Sequence, residues 1–376
     1  MMKFFARIDK TFLIVTGLLI FVGFLIFSSA SMGLLARNGA SFSTVAIKQI
    51  VIGLIGGGIS AFIISHIPYT YYKKYAFHFF AATLVLTSLV FIPALGFSHG
   101  GATRWLSIAG ISFQPSEILK LGFIIYLAAW LSKNHKKNHL FKEGLVPVGI
   151  IFAVVSVPLL LQPDNDTLAV ILFTGTIMYF VAGASLRHIG MIIVAGMIGL
   201  SMLVVVHPYV KSRIMTFINP AGDTQNSGYQ INQSLIAIGS GGFWGRGFGQ
   251  SVQKFNYLPE PIGDSIFAVV AEEFGFVGSV ALLLLFMFFG LRGLYIASNT
   301  KDTFGGLVVL GIITLIITQS IINVSAMMGI IPLSGIPLVF ISHGGTALLI
   351  ALAEIGIILN ISTTLSTKRN LKNSVK

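Results

Sequence analysis

Along this chain, apolar residues gather in long runs broken by short polar connections. A helix that crosses a bilayer needs about 20 mainly apolar residues, with about 17 near the lower limit. Ten runs qualify, approximately 12–31, 45–65, 75–94, 116–132, 145–161, 167–183, 189–207, 265–291, 304–326 and 343–361. The pattern predicts an all-α integral membrane protein, one polytopic domain over 1–376 with ten transmembrane helices. A polar stretch, 208–264, separates the seventh and eighth runs and is far longer than any other connection; the sequence ends in a basic tail, 366–376. The apolar segment 330–340 is interrupted by Pro332, Gly335 and Pro337, which suits a re-entrant or surface-lying piece. The first run has no convincing small-residue cleavage site and reads as a retained helix.

Composition sharpens this picture. The apolar set makes up 55% of the chain and charged residues only 10%, whereas a soluble fold carries roughly 25% charged residues. Soluble enzymes, coiled coils and disordered tails are thereby excluded. The net charge of +12 follows from topology and gives no reason to expect a nucleic-acid partner. Most Lys and Arg, including Lys73, Lys74, Lys133, Lys136, Lys137, Lys142, Arg187, Arg292, Lys301 and the tail, fall on the side of the two ends. By the positive-inside rule both ends are expected in the cytoplasm. The absence of cysteine excludes a disulfide framework, a thiolate metal site and a Cys nucleophile.

Acids are distributed the other way. Asp264 closes the long outer loop four residues after Glu260 and just before an apolar helix. A helix cap accounts for an acid there; so does a general base at the membrane–water boundary. Glu272 and Glu273 follow about two turns deeper, where adjacent acids are costly unless paired or neutralised. Glu117 and Lys120, three apart on one helical face, can pair within the fourth span. Lys48, in the second span, must snorkel, find an acid on another helix or bind a lipid headgroup. Arg104, Lys211, Arg213, Arg246 and Lys254 dot the outer loops. They could meet lipid phosphates, or converge over one cavity and grip a pyrophosphate. The glycine-rich run 239–249 lacks a Walker lysine pattern, so nucleotide binding is rejected, and the histidines show no metal-ligand spacing.

Several of these stretches, in order, resemble the SEDS family, the RodA-type and FtsW-type peptidoglycan glycosyltransferases. They are Arg104-Trp105; Phe113-Gln114-Pro115-Ser116-Glu117 with Lys120; Gln162-Pro163-Asp164; Gly228-Tyr229-Gln230; Lys254 with Leu258-Pro259-Glu260; Asp264 with Glu272-Glu273; and Asn323, Pro332, Pro337 and Ser342-His343-Gly344-Gly345. Ser251-x-Gln253-Lys254 and Leu359–Ser362 lean towards the division-type, FtsW branch. The resemblance implies polymerisation of lipid II at the outer face of the cytoplasmic membrane, with undecaprenyl pyrophosphate as the leaving group. It maps the family's essential acid onto Asp264. It makes Arg104, Lys211, Arg213, Lys254 and Glu260 candidate substrate contacts, and Lys48, Glu117, Lys120, Glu272 and Glu273 cavity or structural residues. It also implies a class B penicillin-binding transpeptidase as partner. A divalent cation, Mg2+ or Mn2+, would suit a pyrophosphate leaving group, although no ligand cluster stands out. The chain departs from the family pattern at Asp166 (Gly in the family), Ile262 (His), Gly263 (Thr), Ser265 (Phe) and His343 (Tyr). A lipid flippase or transporter, and a non-catalytic scaffold for a transpeptidase, are the alternative functions.

Overall fold

The computed structural model describes residues 8–37, 39–99, 102–108, 111–222 and 227–374. The side chains of the predicted tail 366–376 lie outside the described residues. The first span is α1 (Lys10–Arg37). Its N-terminal amides are capped by Asp9, which accepts from the Phe12 amide at 2.8 Å. The second is continuous through α2 (Gly39–Lys48), a π-helical stretch (Gln49–Gly56) and α3 (Gly57–His66). After α4 (Tyr69–Lys74), α5 (Ala76–Ser88) supplies the third. Then follow α6 (Pro115–Lys133), α7 (Val146–Leu161), α8 (Asn165–Val181) and α9 (Leu186–Val206). Beyond the outer loop come α12 (Ile266–Asn299), α13 (Thr303–Met327) and α14 (Gly345–Ser374).

Among the described residues, eight helical stretches are long and apolar enough to cross a membrane, and two shorter apolar helices, Ala76–Phe91 and Asn165–Val181, occupy the third and sixth predicted positions. The shorter pair is bounded by proline. Ile92, which precedes Pro93, is extended at φ −82° and ψ 116°, because the proline ring disfavours helical geometry in the residue before it.

Two features lie outside the sequence expectation. The third connection carries a small antiparallel sheet, β1 (Gly96–His99), β2 (Ala102–Ile108) and β3 (Ile111–Phe113), in the order β1-β2-β3. The long loop 208–264 is partly helical, with α10 (Pro208–Ile218) and α11 (Ser227–Gly241). The interrupted segment 328–344 has no helix or strand, as its prolines and Gly335 suggest.

Lipid tails are as apolar as leucine, so helices in a bilayer associate by close packing, and small residues allow it. The pair α3–α14 shows this. A Cβ on Gly57 would meet Leu352 Cδ1 at 2.6 Å, and one on Gly356 would meet the Ala61 carbonyl at 2.6 Å. The helix α9 stands at the opposite extreme, with almost all of its residues open to the surroundings, as expected for a helix that faces lipid.

The helix α12 is broken at Gly275, whose φ of 65° and ψ of −161° are non-helical. The glycine-rich loop after α11 inserts there. Arg246 and Gly247 donate backbone N–H bonds to the carbonyls of Glu272 (3.0 Å) and Glu273 (2.9 Å), and Phe276 donates to the Gly242 carbonyl (2.9 Å). A Cβ on Gly275 would collide with the Gly245 amide nitrogen. Gly275→Ala is therefore expected to destabilise the protein by at least the roughly 1–3 kcal/mol of a strained backbone residue. Thermal unfolding in detergent, with Gly196→Ala of α9, where a Cβ meets nothing within 4 Å, for comparison, checks this; an unchanged midpoint for Gly275→Ala would refute it.

Candidate active site

Asp264 lies at the C-terminal end of the long loop, two residues before α12 begins. Its side chain is half-buried and its surroundings come from four parts of the chain. Gln230 of α11 donates from Nε2 to Asp264 Oδ1 at 3.2 Å and to Ser265 Oγ at 2.9 Å. Asn323 of α13 donates from Nδ2 to the Asp264 carbonyl at 2.7 Å and to the Ile336 carbonyl at 2.8 Å. Ser342 donates from Oγ to the Gly263 carbonyl at 2.6 Å, and the His343 amide donates to the Ile262 carbonyl at 2.6 Å. Three successive carbonyls, at 262, 263 and 264, are thus each held by α13 or the 328–344 segment. The departures at Ile262, Gly263 and His343 fit this arrangement, because those positions contribute backbone atoms to it.

Burial pushes the Asp264 carboxyl up, to about 6, with the neighbouring Glu260 carboxylate acting in the same direction; the Gln230 bond and the Arg213 charge oppose them. Glu260 itself is exposed, with φ of 44°. Removing a like charge favours ionisation. Glu260→Gln is therefore expected to lower the Asp264 pKa and to move the acid limb of any Asp264-dependent pH–rate profile to lower pH. A profile that stays in place, or moves up, would contradict the coupling.

Two arginines are held at the rim by the turn that opens α8. Arg104 of β2 donates from Nε to the Gln162 carbonyl at 3.3 Å and from Nη2 to the Pro163 carbonyl, and lies 3.9 Å from Asp164. Arg213 of α10 pairs with Asp166 at 2.8 Å and covers the Tyr209 ring, 4.6 Å from its centroid. Lys211 is exposed on the same helix.

Lys254 is placed differently from the sequence expectation. The resemblance makes it a substrate contact, but it is fully buried, and its Nζ bonds Glu273 Oε1 at 2.7 Å, Ser29 Oγ at 3.0 Å and the Gly249 carbonyl at 2.9 Å. An ammonium enclosed in this way does not face a diphosphate. Glu272 is fully buried too. It accepts from Ser251 Oγ at 2.5 Å and from the Val252 and Gln253 amides at 3.0 and 3.2 Å, with Arg246 at 3.6 Å. The two acids therefore pin the loop that leads to Asp264.

Deeper in the bundle, Glu117 and Lys120 pair at 2.8 Å. They line a small cavity of about 30 Å3 with Gln319, His343 and Glu354. Lys48 is exposed at the end of α2. Gln230, Asn323, Ser342 and Glu354 received no role from the sequence. Glu354 carried one usable signal, an acid inside an apolar run.

The profile of the FtsW/RodA/SpoVE cell cycle protein family matches residues 9–367. The chain belongs to this family. Stage V sporulation protein E of Bacillus subtilis is 38% identical over 355 residues, covering 94% of this chain and 96% of the relative. A probable peptidoglycan glycosyltransferase FtsW of Geobacter sp. (strain M18) is 38% identical over 314 residues, covering 83% and 84%. Among solved structures of the fold, RodA of Thermus thermophilus, a rod shape determining protein, superposes with a TM-score of 0.68 at 25% identity, covering 94% of this chain and 96% of RodA. A chain from a peptidoglycan synthase complex that coordinates polymerization and crosslinking superposes with a TM-score of 0.78 at 24% identity, covering 94% and 97%. The FtsW/RodA/SpoVE fold thus extends over nearly the whole chain, and Asp264, Gln230 and Asn323 meet where its long loop joins the helices.

Proposed function

We propose that this protein is an inverting peptidoglycan glycosyltransferase that polymerises lipid II at the outer face of the cytoplasmic membrane, in cell division or cell-shape maintenance. The observation that carries the reading is Asp264: a carboxylate fixed through its own backbone, half-buried at the rim and poised near 6. At neutral pH it is ionised, and a base is most effective when its pKa lies near the working pH.

In the reaction, the acceptor's 4-hydroxyl oxygen bonds to the anomeric carbon of the donor chain while the bond from that carbon to the diphosphate oxygen breaks. The hydroxyl proton passes to Asp264, and the electron pair leaves with undecaprenyl pyrophosphate. Negative charge grows on the departing diphosphate, and fixed cations there lower the barrier. Arg213 and Arg104, with Lys211 nearby, are the groups available for that role. Glu260 and Asp264 are the two carboxylates that would hold a divalent ion bound mainly by the diphosphate, as Mg2+ commonly is; among the described residues no group of three or more acids or histidines gathers to hold one. Such an ion would supply charge neutralisation on the leaving group.

The distribution of bases supports a cytoplasmic position for both termini. A transpeptidase of the class B penicillin-binding type is the expected partner, to crosslink the glycan as it emerges. A flippase reading gains little from the interior cavity, which is far too small for a disaccharide. Purified protein incubated with labelled lipid II, alone and with a candidate transpeptidase, is expected to yield glycan ladders. Transbilayer movement of lipid II without any ladder would overturn the proposal in favour of the flippase.

A further inference from the structure

The turn 162–166 holds two acids two residues apart, and each faces one arginine from a different element. Asp164, almost fully buried, accepts from Gln114 Nε2 at 3.0 Å and Ser116 Oγ at 3.2 Å besides lying 3.9 Å from Arg104. Asp166 is more open. One of its oxygens, Oδ2, accepts both from Arg213 Nη1 at 2.8 Å and from the Gly335 amide at 3.2 Å. That single atom joins α8, the outer helix α10 and the 328–344 segment, the same segment that holds the Asp264 loop from its other end through Ser342 and His343. Arg213 is fixed on one side by Asp166 and on one face by Tyr209. Among the described residues it makes no other hydrogen bond or ion pair, so most of its five N–H donors stay available to a ligand.

We infer that Asp166 is a positioning residue that presets the Arg213 guanidinium at the rim, aimed to take the diphosphate of an undecaprenyl-linked substrate. The inference rests on the glycosyltransferase reading for the identity of that substrate. A long flexible side chain loses rotamer freedom when it grips a ligand, and ordering it beforehand removes that cost from binding. Asp166 therefore acts on affinity more than on the chemical step.

The test compares wild type, Asp166→Asn, Arg213→Ala and the charge swap Asp166→Arg/Arg213→Asp. Two readouts are used: direct binding of undecaprenyl diphosphate against undecaprenyl monophosphate, and steady-state polymerisation of lipid II. Asp166→Asn is expected to weaken diphosphate binding and raise KM by about 5–10-fold, with kcat changed less than 2-fold. The swap rebuilds the ion pair but removes the guanidinium from position 213, and is expected to bind no better than Arg213→Ala. Recovery of binding by the swap would show that the pair is only a brace and would overturn the inference, as would unchanged diphosphate binding in Asp166→Asn. Should wild type bind the diphosphate lipid yet make no glycan, the glycosyltransferase reading would fail while the binding comparison still decides the role of Asp166.

Discussion

Asp264→Asn is expected to eliminate glycan ladders while leaving the fold intact. The amide keeps the shape of the side chain and loses the ability to take a proton. Proton transfer by a positioned base contributes typically about 10²–10⁴-fold, so turnover should drop by at least that lower bound. The backbone contacts from Asn323, Ser342 and His343 do not use the carboxylate, and the thermal midpoint in detergent should stay near that of wild type. In wild type the rate is expected to rise with pH through about 6, because burial lifts the carboxyl to that value and only its ionised form accepts the proton. Ladders of wild-type intensity from Asp264→Asn would remove this residue from the mechanism.

Lys254→Met is expected to produce the largest loss of stability. Lys254 and Glu273 are both almost wholly enclosed and 2.7 Å apart. Removing one member strands a buried charge, which typically costs about 3–5 kcal/mol, whereas replacing both with apolar residues of similar volume is often neutral. The double variant Lys254→Met/Glu273→Met should therefore unfold at a higher temperature than Lys254→Met alone, short of full recovery because Ser29 and the Ser251 amide also bond Glu273. If the single variant melts like wild type, the pair does not hold the loop as described. Polymerisation should fall with stability in this series, since the pinned loop ends at Asp264.

The membrane-spanning framework was legible because a bilayer imposes one pattern, long apolar runs, on every crossing. The runs at 75–94 and 167–183 correspond to shorter helices: Pro93 stops the first, and the second, which starts two residues after Pro163, stops just before Gly183, whose φ is 96°. The sheet at 96–113 was missed: its strands are short and glycine-flanked, without the alternation that marks a half-buried surface. In the site, Asp264 stood out by its place in the motif order. The cost of burying Glu272 and Glu273 was also evident, but their partner was not. A lysine in an outer loop has the same sequence appearance whether it points towards substrate or into the protein, and Lys254 points in. Pairs such as Arg213 with Asp166, or Asn323 with the Asp264 carbonyl, join residues far apart in the chain, and nothing local to either one announces the other.

The break at Gly275 divides α12 into a short cap and a long shaft. The cap is fastened to the glycine loop and to the 251–254 turn; the shaft runs through the bilayer and is tied at its far end to Asp9 by Arg292, 2.6 Å away. Helices answer a change in membrane thickness by tilting. A tilt of the shaft is therefore expected to bend the helix at this break, while the loops fastened to the cap hold the carboxylate's aim. The carboxylate's register would then follow the loops that hold it and not the lipid around the shaft.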